Sequence, residues 1–199
     1  RTVTISNGST NISASSSTDV VTFDIGSSAY TGTLTGDSSQ VDIVSASNGA
    51  DVSGGSYFNI GTLSLSSGAT VAIDAANIGN FSTSITGGAG SEILKVMDGG
   101  TFDFSGTSVS SVEGIAVGTN SNFTLTLTDN FASDGGTVDV TNGSGSAITA
   151  GITLNASVFN GDVLTISATD LNGADTYTGG SGADTIRPGG GTDSMTGTG

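Results

Sequence analysis

Residues 171–199, LNGADTYTGGSGADTIRPGGGTDSMTGTG, repeat with a period of nine, and this period restricts the possible folds more than any other feature of the chain. Gly179-Gly180-Ser181-Gly182-Ala183-Asp184-Thr185-Ile186-Arg187 matches the nonapeptide GGxGxDxUx in full, where U is a large apolar residue. Asp175, Asp184 and Asp193 are nine apart, and Gly173, Gly182 and Gly191 keep the same step, as do Tyr177, Ile186 and Met195. A flexible Gly/Asp-rich tail has no reason to hold one register in three residue types at once.

In such a unit the glycine-rich six residues make a turn with φ > 0 and inward carbonyls, and the last three make a short strand with one apolar side chain facing a core. Two nonapeptides then close one coil. Turns two nonapeptides apart stack on the same edge, so Asp175 is expected to face Asp193 across one strand spacing. The carbonyls expected around these carboxylates are those of Asn172, Gly173, Ala174, Gly180, Gly182, Gly189 and Gly191. An all-oxygen cage of this kind suits Ca²⁺ better than zinc or copper. Asp184 falls on the opposite edge, where its stacking partner would lie beyond residue 199.

Residues 171–196 resemble the RTX, or haemolysin-type calcium-binding repeat, family of secreted bacterial proteins. Two nonapeptides depart from the motif: Pro188 replaces a first glycine, and Asp170-Leu171 replaces a glycine pair. The resemblance implies an extracellular location, calcium turns, and export by type I secretion from a C-terminal signal. Beginning at Arg1 and stopping in mid-repeat at Thr198-Gly199, the chain reads as a segment of a longer polypeptide.

Composition narrows the chemistry. The net charge is −15, from 18 acidic residues against Arg1, Lys95 and Arg187, so cations are expected as partners and nucleic acid or anionic membrane is not. No run approaches a membrane span, and no signal peptide opens the chain. Without His or Cys the usual triads, thiol nucleophiles and zinc ligands are missing, and no disulfide scaffold can form. A non-enzyme is expected. Asp37, Asp51, Asp98, Asp129, Asp134 and Asp162 read as solvated turn residues rather than a catalytic cluster, and Lys95 lies in a strand-like segment unsuited to a Ser–Lys pair. Thr-x-Thr runs such as Thr124/Thr126/Thr128 do not recur at each coil, so they read as ordinary strand surface rather than an ice-binding face. The N-x-S/T triplets at Asn7, Asn11, Asn80, Asn122, Asn142 and Asn155 are unsurprising in a chain so rich in these residues.

Apolar residues alternate with Ser and Thr through most of the sequence, the period of strands. Thr2–Ser6, Val20–Ile25 and Thr31–Thr35 are predicted strands, followed by two similar units, 36–81 and 88–133, at an offset of 52. The second opens with Gly87-Gly88-Ala89-Gly90-Ser91-Glu92, a relic nonapeptide turn with Glu in the Asp position. Thr137–Thr141, Ala147–Asn155 and Asp162–Ala168 then run into the calcium turns without a linker, with Val138, Val140, Ile148, Ile152, Leu154, Leu164 and Ile166 facing inward. The expected fold is all-β: a right-handed parallel β-solenoid, 1–170 as scaffold and 171–199 as a continuous β-roll of calcium turns. About twenty residues per coil gives a rod roughly 45–50 Å long. An antiparallel sandwich is the alternative. The function expected is a calcium-dependent structural segment of a secreted, surface-layer-type protein that self-assembles into a lattice or homo-oligomer. The alternatives are a rod or surface-polysaccharide-binding segment of an adhesin, or an accessory domain of an exported enzyme.

Overall fold

A computed structural model describes residues 1–132, 137–159, 163–167 and 171–197. The chain is a parallel β-solenoid of about eight turns, and every strand pairing among the described residues is parallel, which dismisses the sandwich. One sheet climbs from Thr2–Thr4 through Thr22–Gly26, Asp42–Ala46, Ile60–Leu65, Ser84–Thr86 and Ser108–Ser110 to Phe131–Ala132. A second runs from Thr70–Ile73 through Ile93–Val96, Gly114–Val117, Thr137–Asn142 and Val163–Ser167 to Thr185–Arg187. A third joins Gly100–Asp103, Phe123–Thr128, Ile152–Val158, Thr176–Thr178 and Ser194–Thr196, and a short fourth joins Ile12–Ser13, Thr33–Thr35 and Ser56–Phe58. The first coils therefore use two strands each, the middle coils three, and the nonapeptide coil two again.

The alternation in the sequence is the cause of the core. Within Phe123–Thr128, Phe123, Leu125 and Leu127 are buried while the intervening threonines are half-buried. All seven residues expected to face inward between Val138 and Ile166 are buried. Aromatic rings stack along the axis: Tyr57 lies 6.3 Å from Tyr30 and 5.1 Å from Phe81, and Phe104 meets Phe131 edge-on at 5.4 Å. Such pairs add about 0.5–1.5 kcal/mol each beyond the area they bury. Among the described residues a single helical turn, Ala75–Ile78, interrupts the strands, capped by the Asp74 carboxylate on the Asn77 N–H.

One expectation, the coil length of about twenty residues, needs correction. The residues matched at the offset of 52 lie in different sheets: Val44 is in Asp42–Ala46 of the first sheet and Val96 in Ile93–Val96 of the second. Coil length varies instead, from the 18 residues between Asp175 and Asp193 to the 29 between Asn122 and Gly151. With coils longer than assumed, about eight turns make a rod roughly 35–40 Å long.

Candidate metal centre

The nonapeptide strands stack in the register that their spacing predicts. Thr176, Tyr177 and Thr178 pair with Ser194, Met195 and Thr196, with Thr185–Arg187 between them in sequence and on the other sheet. Asp175 and Asp193 are thereby brought to one edge, one coil apart, and Asp193 Oδ1 accepts the Asp175 N–H at 3.1 Å. Asn172 and Gly190 join them there, the Asn172 side-chain oxygen accepting the Gly190 N–H at 3.0 Å. Backbone approaches are close: a Cβ on Gly191 would overlap the Gly173 carbonyl oxygen, and one on Gly173 would overlap that of Ala150. The Ala174 carbonyl faces Gly151 of the preceding coil, which a Cβ there would approach to 2.8 Å. Asp184, Gly180 and Gly182 occupy the other edge, where Asp184 Oδ2 accepts the Gly180 N–H at 2.8 Å and the Gly182 carbonyl accepts the Asp184 N–H at 3.0 Å. Gly189, between Pro188 and Gly190, is half-buried. Asp134, Asp162, Asp170, Thr198 and Gly199 lie outside the described residues.

Two features differ from the sequence reading. Among the described nonapeptide glycines only Gly191 has positive φ, at 123°; Gly173 and Gly180 are required by close approach to the Ala150 and Phe159 carbonyls rather than by a left-handed turn. Asp175 is buried, 1 % exposed, with Oδ1 on the Ile152 N–H at 2.7 Å and Oδ2 on the Tyr177 hydroxyl at 2.9 Å. Both of its oxygens serve the fold. Burial and this hydrogen bond push the Tyr177 phenol well above its ordinary ionisation range.

The same device recurs along the rod. Asp42, fully buried, accepts the Val21 N–H through Oδ1 and the Asp37 N–H through Oδ2, both at 2.7 Å. Asp98 accepts the Ala75 N–H at 3.1 Å, and Asp184 Oδ1 accepts the Leu164 N–H at 3.1 Å. In each case a carboxylate beside a strand takes an N–H of the preceding coil that would otherwise lack an acceptor. Asparagines reach the other way: Asn11, Asn48, Asn120 and Asn122 accept N–H groups of the following coil. Others make local turns, as at Asn7, Asn142 and Asn155, whose side chains accept the N–H two residues on. The N-x-S/T triplets at these three positions are thus turn chemistry. Asp42 escaped the sequence reading although Gly36-Asp37…Asp42 resembles Gly179-Gly180…Asp184 in placing a carboxylate a few residues after a glycine and directly before apolar residues.

The donors on the Asp193 edge are all oxygens: its half-buried carboxylate, the Asn172 amide oxygen and the carbonyls of the stacked turns. Their chemistry fits a hard cation such as Ca²⁺. Among the described residues no three His, Cys, Asp or Glu side chains gather around one point, so carbonyl and water oxygens would have to complete the shell. A separate groove of about 380 Å³ lies by the fourth sheet, lined by Asp37, Gln40, Phe58, Asn59 and Asn80, with Phe58 57 % exposed. No protein-family model, curated protein or solved structure matches the chain.

Proposed function

We propose that the chain is a non-catalytic, calcium-dependent structural segment of a secreted bacterial surface-layer-type protein, with Ca²⁺ driving its folding and self-assembly outside the cell. The observation that carries this reading is the stacking of Asp175 and Asp193 one coil apart on an oxygen-rich turn edge, in the nonapeptide register. Asp193 and the turn carbonyls would hold the ion on that edge, and Asp184 with the carbonyls of Gly180 and Gly182 on the other; Asp175 and Asp184 each accept hydrogen bonds at both oxygens and would offer only their remaining lone pairs. Bound Ca²⁺ supplies positive charge where the turn carboxylates of a chain at −15 repel one another. At submicromolar Ca²⁺ the turns stay open and fit for export; at millimolar Ca²⁺ mass action closes them, as for extracellular modules with dissociation constants of about 10⁻⁴–10⁻³ M.

A second reading, a polysaccharide-binding rod of an adhesin, is favoured by the groove that sets exposed Phe58 among Asp37, Gln40, Asn59 and Asn80, since an aromatic face ringed by amide and carboxylate groups suits a sugar. Circular dichroism and electron microscopy along one Ca²⁺ titration separate the two. A β-signal that rises with Ca²⁺ together with sheets or filaments supports the scaffold. Folding on Ca²⁺ into a monomer that binds glycans favours the adhesin, and no response to Ca²⁺ defeats both calcium readings.

A further inference from the structure

Glu92 breaks the pattern of the Asp42 and Asp184 clamps. It sits directly before Ile93–Val96, as Asp184 sits before Thr185–Arg187, and it is fully buried. Its Oε1 accepts the Gly68 N–H of the preceding coil at 2.6 Å, matching the first half of the clamp at Asp42 and Asp184. In those two clamps the second oxygen takes the N–H of Asp37 or Gly180, just after a turn glycine. Glu92 Oε2 is buried and has no hydrogen-bond partner among the described residues. The residue in the place of Gly180 is Gly88, four before Glu92 as Gly180 is four before Asp184, and Glu92 is one methylene longer than Asp184.

The surroundings are anionic and built. Glu113, half-buried one coil on, brings its Oε2 to 2.8 Å from the Glu92 nitrogen, so the chain's two glutamates are adjacent in space. A Cβ on Gly87 would overlap the Ser111 carbonyl oxygen and come within 3.0 Å of Glu92 Cγ. Ser111 itself holds φ at 54°, a conformation that non-glycine residues rarely adopt. Ser67 Oγ donates to the Ala89 carbonyl across the coils. Lys95, the closest cation in sequence, points away: its Cε lies beside Gly118 on the outer side of Ile93–Val96. A buried carboxylate oxygen without a donor calls for a positive charge.

We propose that Glu92 anchors a second calcium site halfway along the rod, with Glu113 as the other carboxylate and oxygens of the exposed Ala89–Ser91 turn on the solvent side. An oxygen-only set with two carboxylates takes a hard divalent ion, and a loop of glycines tolerates the irregular shell of Ca²⁺. This site shares no residue with the nonapeptide edges and stands or falls independently of them.

The test is isothermal titration of the full chain with CaCl₂, comparing wild type, D184N/D193N, and each of these with E92D added. The shorter Asp at position 92 can close the clamp on the Gly88 N–H as Asp42 does on Asp37, so the E92D chain keeps its fold, checked by circular dichroism. One equivalent of Ca²⁺ should remain in D184N/D193N and vanish when E92D is added; wild type should lose one equivalent with E92D alone. Unchanged stoichiometry in both E92D backgrounds overturns the proposal. So does an infrared carbonyl band of a protonated acid that is removed by E92D and persists at saturating Ca²⁺. If the nonapeptide edges bind no calcium, wild type still shows the Glu92 equivalent, so the two readings fail separately.

Discussion

At the scale of single residues, the buried carboxylates of this rod accept backbone N–H groups, and their removal has a calculable effect. Replacing Asp42 by Asn leaves an NH₂ facing either the Val21 or the Asp37 N–H, both now 2.7 Å from carboxylate oxygens. A buried donor stripped of its acceptor costs about 1–3 kcal/mol, so D42N should lower the urea midpoint by that equivalent without Ca²⁺, while D37N, whose amide oxygen can still accept the Ser39 N–H, should leave it nearly unchanged. The three tyrosines give a pH prediction. Tyr30 donates to the Thr10 carbonyl at 2.5 Å, Tyr57 to that of Val52 at 3.1 Å and Tyr177 to Asp175. Burial raises all three phenols above their ordinary value of 10.0, with nearby Tyr30, Asp51 and Asp74 adding to the shift at Tyr57. Unfolded phenols lose protons first, so the unfolded state binds fewer protons there and stability falls as pH rises past about 10. Phenolate absorbance should therefore stay flat through the normal tyrosine range and rise together with the loss of β-signal; three phenols titrating near 10 in folded protein would contradict their burial.

At the scale of strands and turns, glycines divide into two kinds that a sequence does not distinguish. Gly68 has φ +68° with open space around it, so Ala there meets only backbone strain, about 1 kcal/mol. Gly173 has ordinary φ, but a Cβ would overlap the Ala150 carbonyl, so G173A must push adjacent coils apart at a cost of ~3 kcal/mol. Hydrogen exchange should show protection lost in Ile152–Val158 and Thr176–Thr178 for G173A and kept for G68A. The nonapeptide register was legible because its turns have constant length, so period and coil coincide in Tyr177 and Met195. Elsewhere turn lengths vary, and the self-similarity at 52 residues reflects strand-turn composition rather than stacking. The inward apolar set could be read because alternation is local. The clamps at Asp42 and Glu92 could not, since their partners Val21 and Gly68 are fixed by register between coils that only the folded chain defines.

At the scale of the whole molecule, charge opposes compaction. The chain concentrates a net −15 on a rod whose strands stack about 4.8 Å apart, so successive coils carry like charges within one Debye length at physiological salt. Screening alone should stabilise the rod: raising NaCl should raise Tm steadily, because salt weakens repulsion among turn carboxylates more than it weakens the apolar core. CaCl₂ at matched ionic strength carries the same screening, so any additional rise in Tm measures site binding, which adds RT ln(1 + [Ca²⁺]/Kd) for each folded-state site. At a Ca²⁺ concentration of 100 Kd each site contributes about 2.7 kcal/mol, far beyond what screening differences supply. Wild type should show the excess, and D184N/D193N combined with E92D should collapse onto the NaCl curve. Equal Tm values for wild type in the two salts would mean that the carboxylates act only as hydrogen-bond acceptors, and the rod would then be a calcium-indifferent scaffold.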